Sequence, residues 1–149
     1  MPDAMLVIAS LREEEGKYTE AIKVYENLRN LYPDSEEAKT AIVREAATRM
    51  IVLRDHGYNR ARARDTVDFM KMALLCCRPD DAAAVQGYLD EAQGLLEEES
   101  YRAALFYDSA TRTKRSAVTA YERFLADYPQ SEHADEIRAR IAELKGVEK

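Results

Sequence analysis

The sequence predicts an all-α fold of about seven helices arranged as helical hairpins, and three observations carry that prediction. The first is an internal repeat. YENLRNLYPDSEEA at Tyr25–Ala38 returns as YERFLADYPQSEHA at Tyr121–Ala134, with seven of fourteen residues identical, among them Tyr25/Tyr121, Pro33/Pro129 and Ser35/Ser131. The second is the spacing of apolar residues by three and four along most of the chain, which makes one wide stripe per helix. The third is composition: five glycines and four prolines in 149 residues, with charged residues at 34%, suit helices with solvated outer faces.

A first helix runs from Pro2 or Asp3 to about Glu15, with Met5, Ile8, Ala9 and Arg12 toward its neighbour. Gly16 ends it, because glycine accepts the left-handed conformation of a tight helical turn. The second helix, Tyr18–Tyr32, carries Tyr18, Ala21, Ile22, Tyr25, Leu28, Leu31 and Tyr32 as its stripe. Pro33 stops it, and Asp34 or Ser35 can cap the next helix through a side-chain oxygen. That third helix reaches about Asp55, with Ala38, Ala41, Ile42, Ala46, Met50 and Leu53 inward.

His56-Gly57-Tyr58-Asn59 reads as a turn. A fourth helix follows to about Cys77, with Ala63, Val67, Met70, Ala73, Leu74 and Cys77 inward. Its CCRPDD end is a degenerate copy of the NLYPDS closure, and Asp80 or Asp81 caps a long fifth helix to about Ala110. That helix keeps its stripe from Val85 and Leu89 through Leu96 to Phe106 and Tyr107. The sixth, about Lys114–Asp127, buries Ala117, Val118, Tyr121, Phe124 and Leu125. The seventh, from Ser131, buries Ala134, Ile137, Ile141 and Leu144 and reads as a capping helix with a charged outer side. The tail Gly146–Lys149 is expected to fray.

A net charge of −6 gives no electrostatic footprint for a phosphate backbone. No apolar run reaches the roughly 20 residues that cross a bilayer. Ala4–Ala9 has no basic residue before it and does not read as a secretion signal, so the sequence points to a cytoplasmic protein or to a mature or trimmed chain. Cys76 and Cys77 are adjacent, which suits neither a disulfide framework nor a metal pair; Cys77 is expected in the core and Cys76 half exposed.

Little chemistry is written here. His56 and His133 each sit beside a helix end and read as solvated or capping histidines. Glu13-Glu14-Glu15 and Glu97-Glu98-Glu99 spread around their helices as solvated faces. There is no phosphate-binding glycine loop and no nucleophile elbow, so the sequence predicts a non-catalytic protein without cofactor or metal. The basic groups Arg60-Arg62-Arg64 and Arg112-Lys114-Arg115 lie at helix starts. A partner could use them, but solubility is the plainer reading.

The repeat resembles the tetratricopeptide repeat. Gly16, Tyr18, Ala21, Tyr25 and Pro33 fall at that family's spacings, as do Ala104, Tyr107, Ala117, Tyr121 and Pro129 if the turn at Thr111–Lys114 holds one extra residue. The resemblance implies a right-handed superhelix in a single domain, 1–149. Its units would be about 3–34, 35–80 and 81–130, with a capping helix at 131–145. The inner wall of such an array, formed by the first helix of each hairpin, binds protein segments. In this chain that wall would present Leu6, Ser10, Glu13, Thr40, Arg44, Tyr101, Leu105 and Asp108. The Lys and Asn clamp that some family members use for carboxylate-terminated peptides is not supplied by Leu6, Ser10 or Glu13-Glu14.

Leu89–Leu144 is more narrowly similar to the C-terminal part of BamD-type lipoproteins, periplasmic helical-repeat proteins of the outer-membrane β-barrel assembly machinery. The shared features are a Leu-x-x-x-Leu-acidic run on a long helix, an aromatic pair like Phe106-Tyr107, and a Tyr-Pro-x-Ser closure at Tyr128–Ser131. GKYTEAIKVYENLRNLYPDSEEA also matches their first repeat. This resemblance implies a scaffold for other proteins in the periplasm, associated with the outer membrane only through a lipid anchor that this chain does not contain. The middle, Ile51–Asp81, lacks a full Tyr-Pro closure. A general adaptor of the same repeat class, periplasmic in cell division with the Tol–Pal system or cytoplasmic, is the alternative.

Overall fold

Seven α-helices follow one another in the computed structural model, which describes residues 1–55, 59–110 and 113–147, the side chains of Ala110 and Val147 aside. They are α1 (Pro2–Glu14), α2 (Tyr18–Leu31), α3 (Glu36–Asp55), α4 (Arg60–Cys76), α5 (Ala82–Ala110), α6 (Lys114–Asp127) and α7 (Ala134–Val147). Among the described residues there is no strand, so the chain is all-α. His56, the turn read at 56–58, and Arg112 of the second basic group lie outside the described residues.

The turns follow from their residues. Gly16 has φ +77°. Its N–H donates to Glu13 O at 3.0 Å and that of Lys17 to Arg12 O at 2.8 Å, the paired bonds of a left-handed helix end. The two Tyr-Pro-x-Ser closures are conformational copies. Before its proline, Tyr32 sits at φ −132°, ψ 57° and Tyr128 at φ −133°, ψ 63°, as expected of a residue that proline excludes from the helical region. In each turn the serine N–H reaches back to the tyrosine carbonyl at 3.1 Å. Ser35, rather than Asp34, caps α3: its Oγ accepts from the N–H of Ala38 at 3.0 Å. Asn59 caps α4 in the same way, accepting from the N–H of Arg62 at 3.1 Å. Ahead of α5, Pro79–Asp81 form a short 3₁₀ turn.

The contacts divide the chain into two compact units, Met1–Gln93 and Gly94–Lys149, with the division inside α5. In the first unit α1 packs on α2, α2 on α3 and α3 on α4. One cluster joins Ala9, Ala21, Tyr25, Leu28, Ala38 and Ala41. In the second unit Tyr101 and Ala104 of α5 meet Ala117, Tyr121 and Phe124 of α6 and Ile137 and Leu144 of α7. The small residue followed four positions later by a tyrosine therefore does the same work twice: the alanine admits the neighbouring helix and the tyrosine fills the space beside it. Ala21→Leu or Ala117→Leu is expected to overpack that contact and cost about 1–3 kcal/mol. Urea melts of the two variants check this, and wild-type midpoints in both would place the alanines wrongly.

Several stripe assignments need correction. Ile8 on α1 and Leu31, 66% exposed at the end of α2, face solvent. Phe106 and Tyr107 are 63% and 46% exposed rather than core. They lie near the end of the long helix, where the apolar stripe has turned past the face that α6 and α7 cover. Cys77 is only half-buried and Cys76 exposed. The helix ends at Cys76, and the extended backbone of Cys77 (ψ 164°) no longer carries its side chain along the inward face.

Candidate functional site: two repeat-equivalent concavities

Each unit has a hollow between the first helix of a hairpin and the helix that follows the hairpin. In the first unit, Leu6, Ser10, Leu11 and Glu14 of α1 face Arg44 of α3 across about 440 Å³. In the second, Tyr101, Leu105 and Asp108 of α5 face Glu136, Ile137 and Arg140 of α7 across about 350 Å³. With the one-residue insertion, Leu6 corresponds to Tyr101, Ser10 to Leu105, Glu13 to Asp108 and Arg44 to Arg140. The duplicated sequence thus places two equivalent hollows, and the repeat extends beyond the stretch that first reveals it.

The same tyrosine–carboxylate bond recurs in each unit, as the base of a polar lock. The Tyr25 hydroxyl donates to Glu13 Oε1 at 2.8 Å, and the Tyr121 hydroxyl donates to Asp108 Oδ2 at 2.6 Å. Burial, reinforced by the neighbouring carboxylate, pushes both phenol pKa values well above their ordinary range. A residue from the following helix completes each lock. Thr48 donates to Glu13, while Arg140 grips Asp108 through Nε at 2.8 Å and Nη2 at 3.0 Å. Hydrogen bonding from Arg140 holds the Asp108 carboxyl below its usual value despite partial burial.

Of the residues expected on an inner wall, Leu6, Ser10 and Arg44 line the first hollow, and Arg44 Nη1 donates to Ser10 Oγ at 2.9 Å. Tyr101, Leu105 and Asp108 line the second. Glu13 is instead turned inward as the acceptor of the lock, neither wall nor solvated face. Thr40 accepts from Arg78 Nη1 at 3.2 Å, away from the hollow's lining. Tyr101 is mostly floor: its ring stacks on His133 at 3.8 Å and tilts against Phe124 at 5.9 Å. His133 is therefore not a solvated histidine; its ring is held by Tyr101 and lies 3.4 Å from Glu98 Oε2 through Nε2.

A second feature escaped the sequence reading. Glu45 on α3 is 0% exposed, between Arg29 of α2 and Arg49 of its own helix, with closest approaches of 3.0 and 2.9 Å. Arg49 also reaches Glu26 at 2.7 Å. Both guanidinium groups lie over the Phe69 ring of α4, at 5.4 and 4.5 Å from its centre. Burial raises the Glu45 pKa and the two arginines oppose that rise. The signal was present: Glu45 stands at a stripe position between Ile42 and Ala46.

Among the described residues, no group of three His, Cys, Asp or Glu side chains could hold a metal ion. No described helix is long and apolar enough to cross a membrane. The tetratricopeptide repeat family matches residues 3–35 and 100–131, which contain α1 with α2 and the end of α5 with α6. The family thus matches one helical hairpin in each compact unit. No curated protein matches it at a significant level.

Proposed function

We propose that this chain is a non-catalytic scaffold that binds segments of other proteins in its repeat hollows. The observation that carries the reading is the duplication of one hollow, each formed between a hairpin that the tetratricopeptide repeat family matches and the helix that follows it. In the second hollow Asp108 is held between Tyr121 and Arg140, and wall residues fixed in this way lower the entropy lost when a partner segment binds. Tyr101 gives a fixed aromatic floor and Leu105, 40% exposed, an accessible apolar contact.

The finer reading is a BamD-type component of outer-membrane protein assembly, periplasmic and anchored through a lipidated segment upstream. The text of Leu89–Leu144 supports it. A general adaptor with the same repeats is the second reading, favoured by the unmatched stretch between the two repeats. A signal peptide and lipobox in the upstream reading frame, with fractionation to the outer membrane, would select the first; cytoplasmic fractionation would select the second.

The scaffold itself is tested by placing a photo-crosslinking residue at Leu105 and, separately, at Leu75, which is exposed on α4. Reproducible adducts to a protein partner are expected at Leu105 and not at Leu75. Adducts at Leu75 alone would remove the hollow from the function. Leu105→Asp is expected to abolish partner capture with an unchanged melting temperature, because the side chain packs on no core cluster.

A further inference from the structure

From the charge and bonding of the second hollow we infer its ligand class: a cationic segment of a partner protein carrying a bulky apolar side chain. This rests on the scaffold reading above and adds the chemistry of what it takes. The charged residues that line the hollow are Asp108, Glu136, Glu143 and Arg140, three acids against one base. The single base is already engaged. Arg140 holds Asp108 through Nε and Nη2 and donates from Nη1 to Glu143 at 2.9 Å. An incoming carboxylate would have to compete with two internal ones for that guanidinium, and it would meet Glu136 on the same wall.

A cation meets the opposite situation. Glu136 lies beside the Tyr101 ring, adding to the rise of the Tyr101 pKa that burial begins, and Glu98 stands at the edge of that ring's stack with His133. Carboxylates around a concave, apolar floor concentrate a negative field where a lysine or arginine would sit. Leu105 and Tyr101 supply the apolar contact beneath them, so a residue pair of one cation and one leucine or phenylalanine fits both. The equivalent hollow of the first unit has the same sign: Asp3 and Glu14 against Arg44.

The test uses the full chain and three fluorescein-labelled peptides with blocked ends, in which leucine alternates with lysine, serine or glutamate. Anisotropy at low salt is expected to show the lysine peptide binding about tenfold more tightly than the glutamate peptide, with the difference shrinking as salt rises. Glu136→Gln with Glu143→Gln should weaken the lysine peptide by about fivefold. Asp65→Asn with Asp68→Asn makes the same change of net charge on exposed positions of α4, and should leave its affinity within about twofold. Leu105→Ser should weaken every peptide that binds.

Equal affinity for the serine and lysine peptides, with loss in Leu105→Ser, would overturn the cationic preference and leave the scaffold reading standing. Equal weakening by the two charge pairs would also overturn it, as general attraction to an acidic chain. If no peptide binds and no adduct forms at Leu105, both readings fail.

Discussion

Replacing Arg29 and Arg49 together with methionine is expected to destabilise the first unit by about 3–5 kcal/mol, because it leaves the Glu45 carboxylate buried with no cation. The same two substitutions remove both guanidinium contacts with the Phe69 ring. Adding Glu45→Met should restore much of the loss, since an apolar side chain of similar volume needs no partner in that position. Urea titrations of the double and triple variants measure the difference. A triple variant no more stable than the double would mean that the cluster acts through packing and not through charge.

The sign of the pH dependence is specific to this residue. The Glu45 pKa is raised in the folded chain above its ordinary 4.5, so the folded state holds the proton more readily than the unfolded one. Its contribution is fully present below 4.5 and is lost as pH rises through the folded value. Asp108, with a lowered pKa, behaves oppositely: its contribution is present above its ordinary 3.8 and is lost as pH falls through the lower folded value. Glu45→Gln should therefore remove the loss of stability on the rising side of 4.5 and leave the acid side unchanged.

Tyr25→Ala is the second large effect. The side chain is fully buried at the junction of α1, α2 and α3, and truncating it opens a cavity worth about 3–5 kcal/mol. It also deprives Glu13 of a donor. Tyr25→Phe keeps the ring and removes only the hydroxyl, so its cost should fall to about 1–2 kcal/mol, with Thr48 remaining as a donor to Glu13. Thermal melts of the two variants separate filling from bonding. Equal losses would assign the whole effect to the lock.

The helices were legible in the sequence because their signals are local. Gly16, Pro33, Ser35 and Asn59 act within a few residues of themselves, and the duplicated text made one hairpin predict the other. Most of the hollows' expected lining was legible for the same reason: Leu6 and Ser10 follow from register along α1, and Tyr101, Leu105 and Asp108 from register along α5. Periodicity does not say where a covering neighbour stops, which is why Phe106, Tyr107 and Leu31 were placed inside. Nor does it say which polar residue on a stripe finds a partner. Glu13, Glu45 and His133 are held by Tyr25, by two arginines and by Tyr101, from positions 12 to 32 residues away or on a neighbouring turn. Those pairings exist only after the helices have packed.

The hairpin arrangement also sets how far the chain must search to fold. Among the described residues, side-chain hydrogen bonds join positions at most 42 apart, the longest being Arg78 to Glu36. Loop-closure entropy grows only with the logarithm of the segment closed, so each docking step encloses one or two helices and loses little freedom before contacts compensate. Low mean contact separation goes with fast folding. A nucleus can start at either Tyr-Pro-x-Ser turn, since both encode the same local geometry, and spread to its neighbour helix by helix.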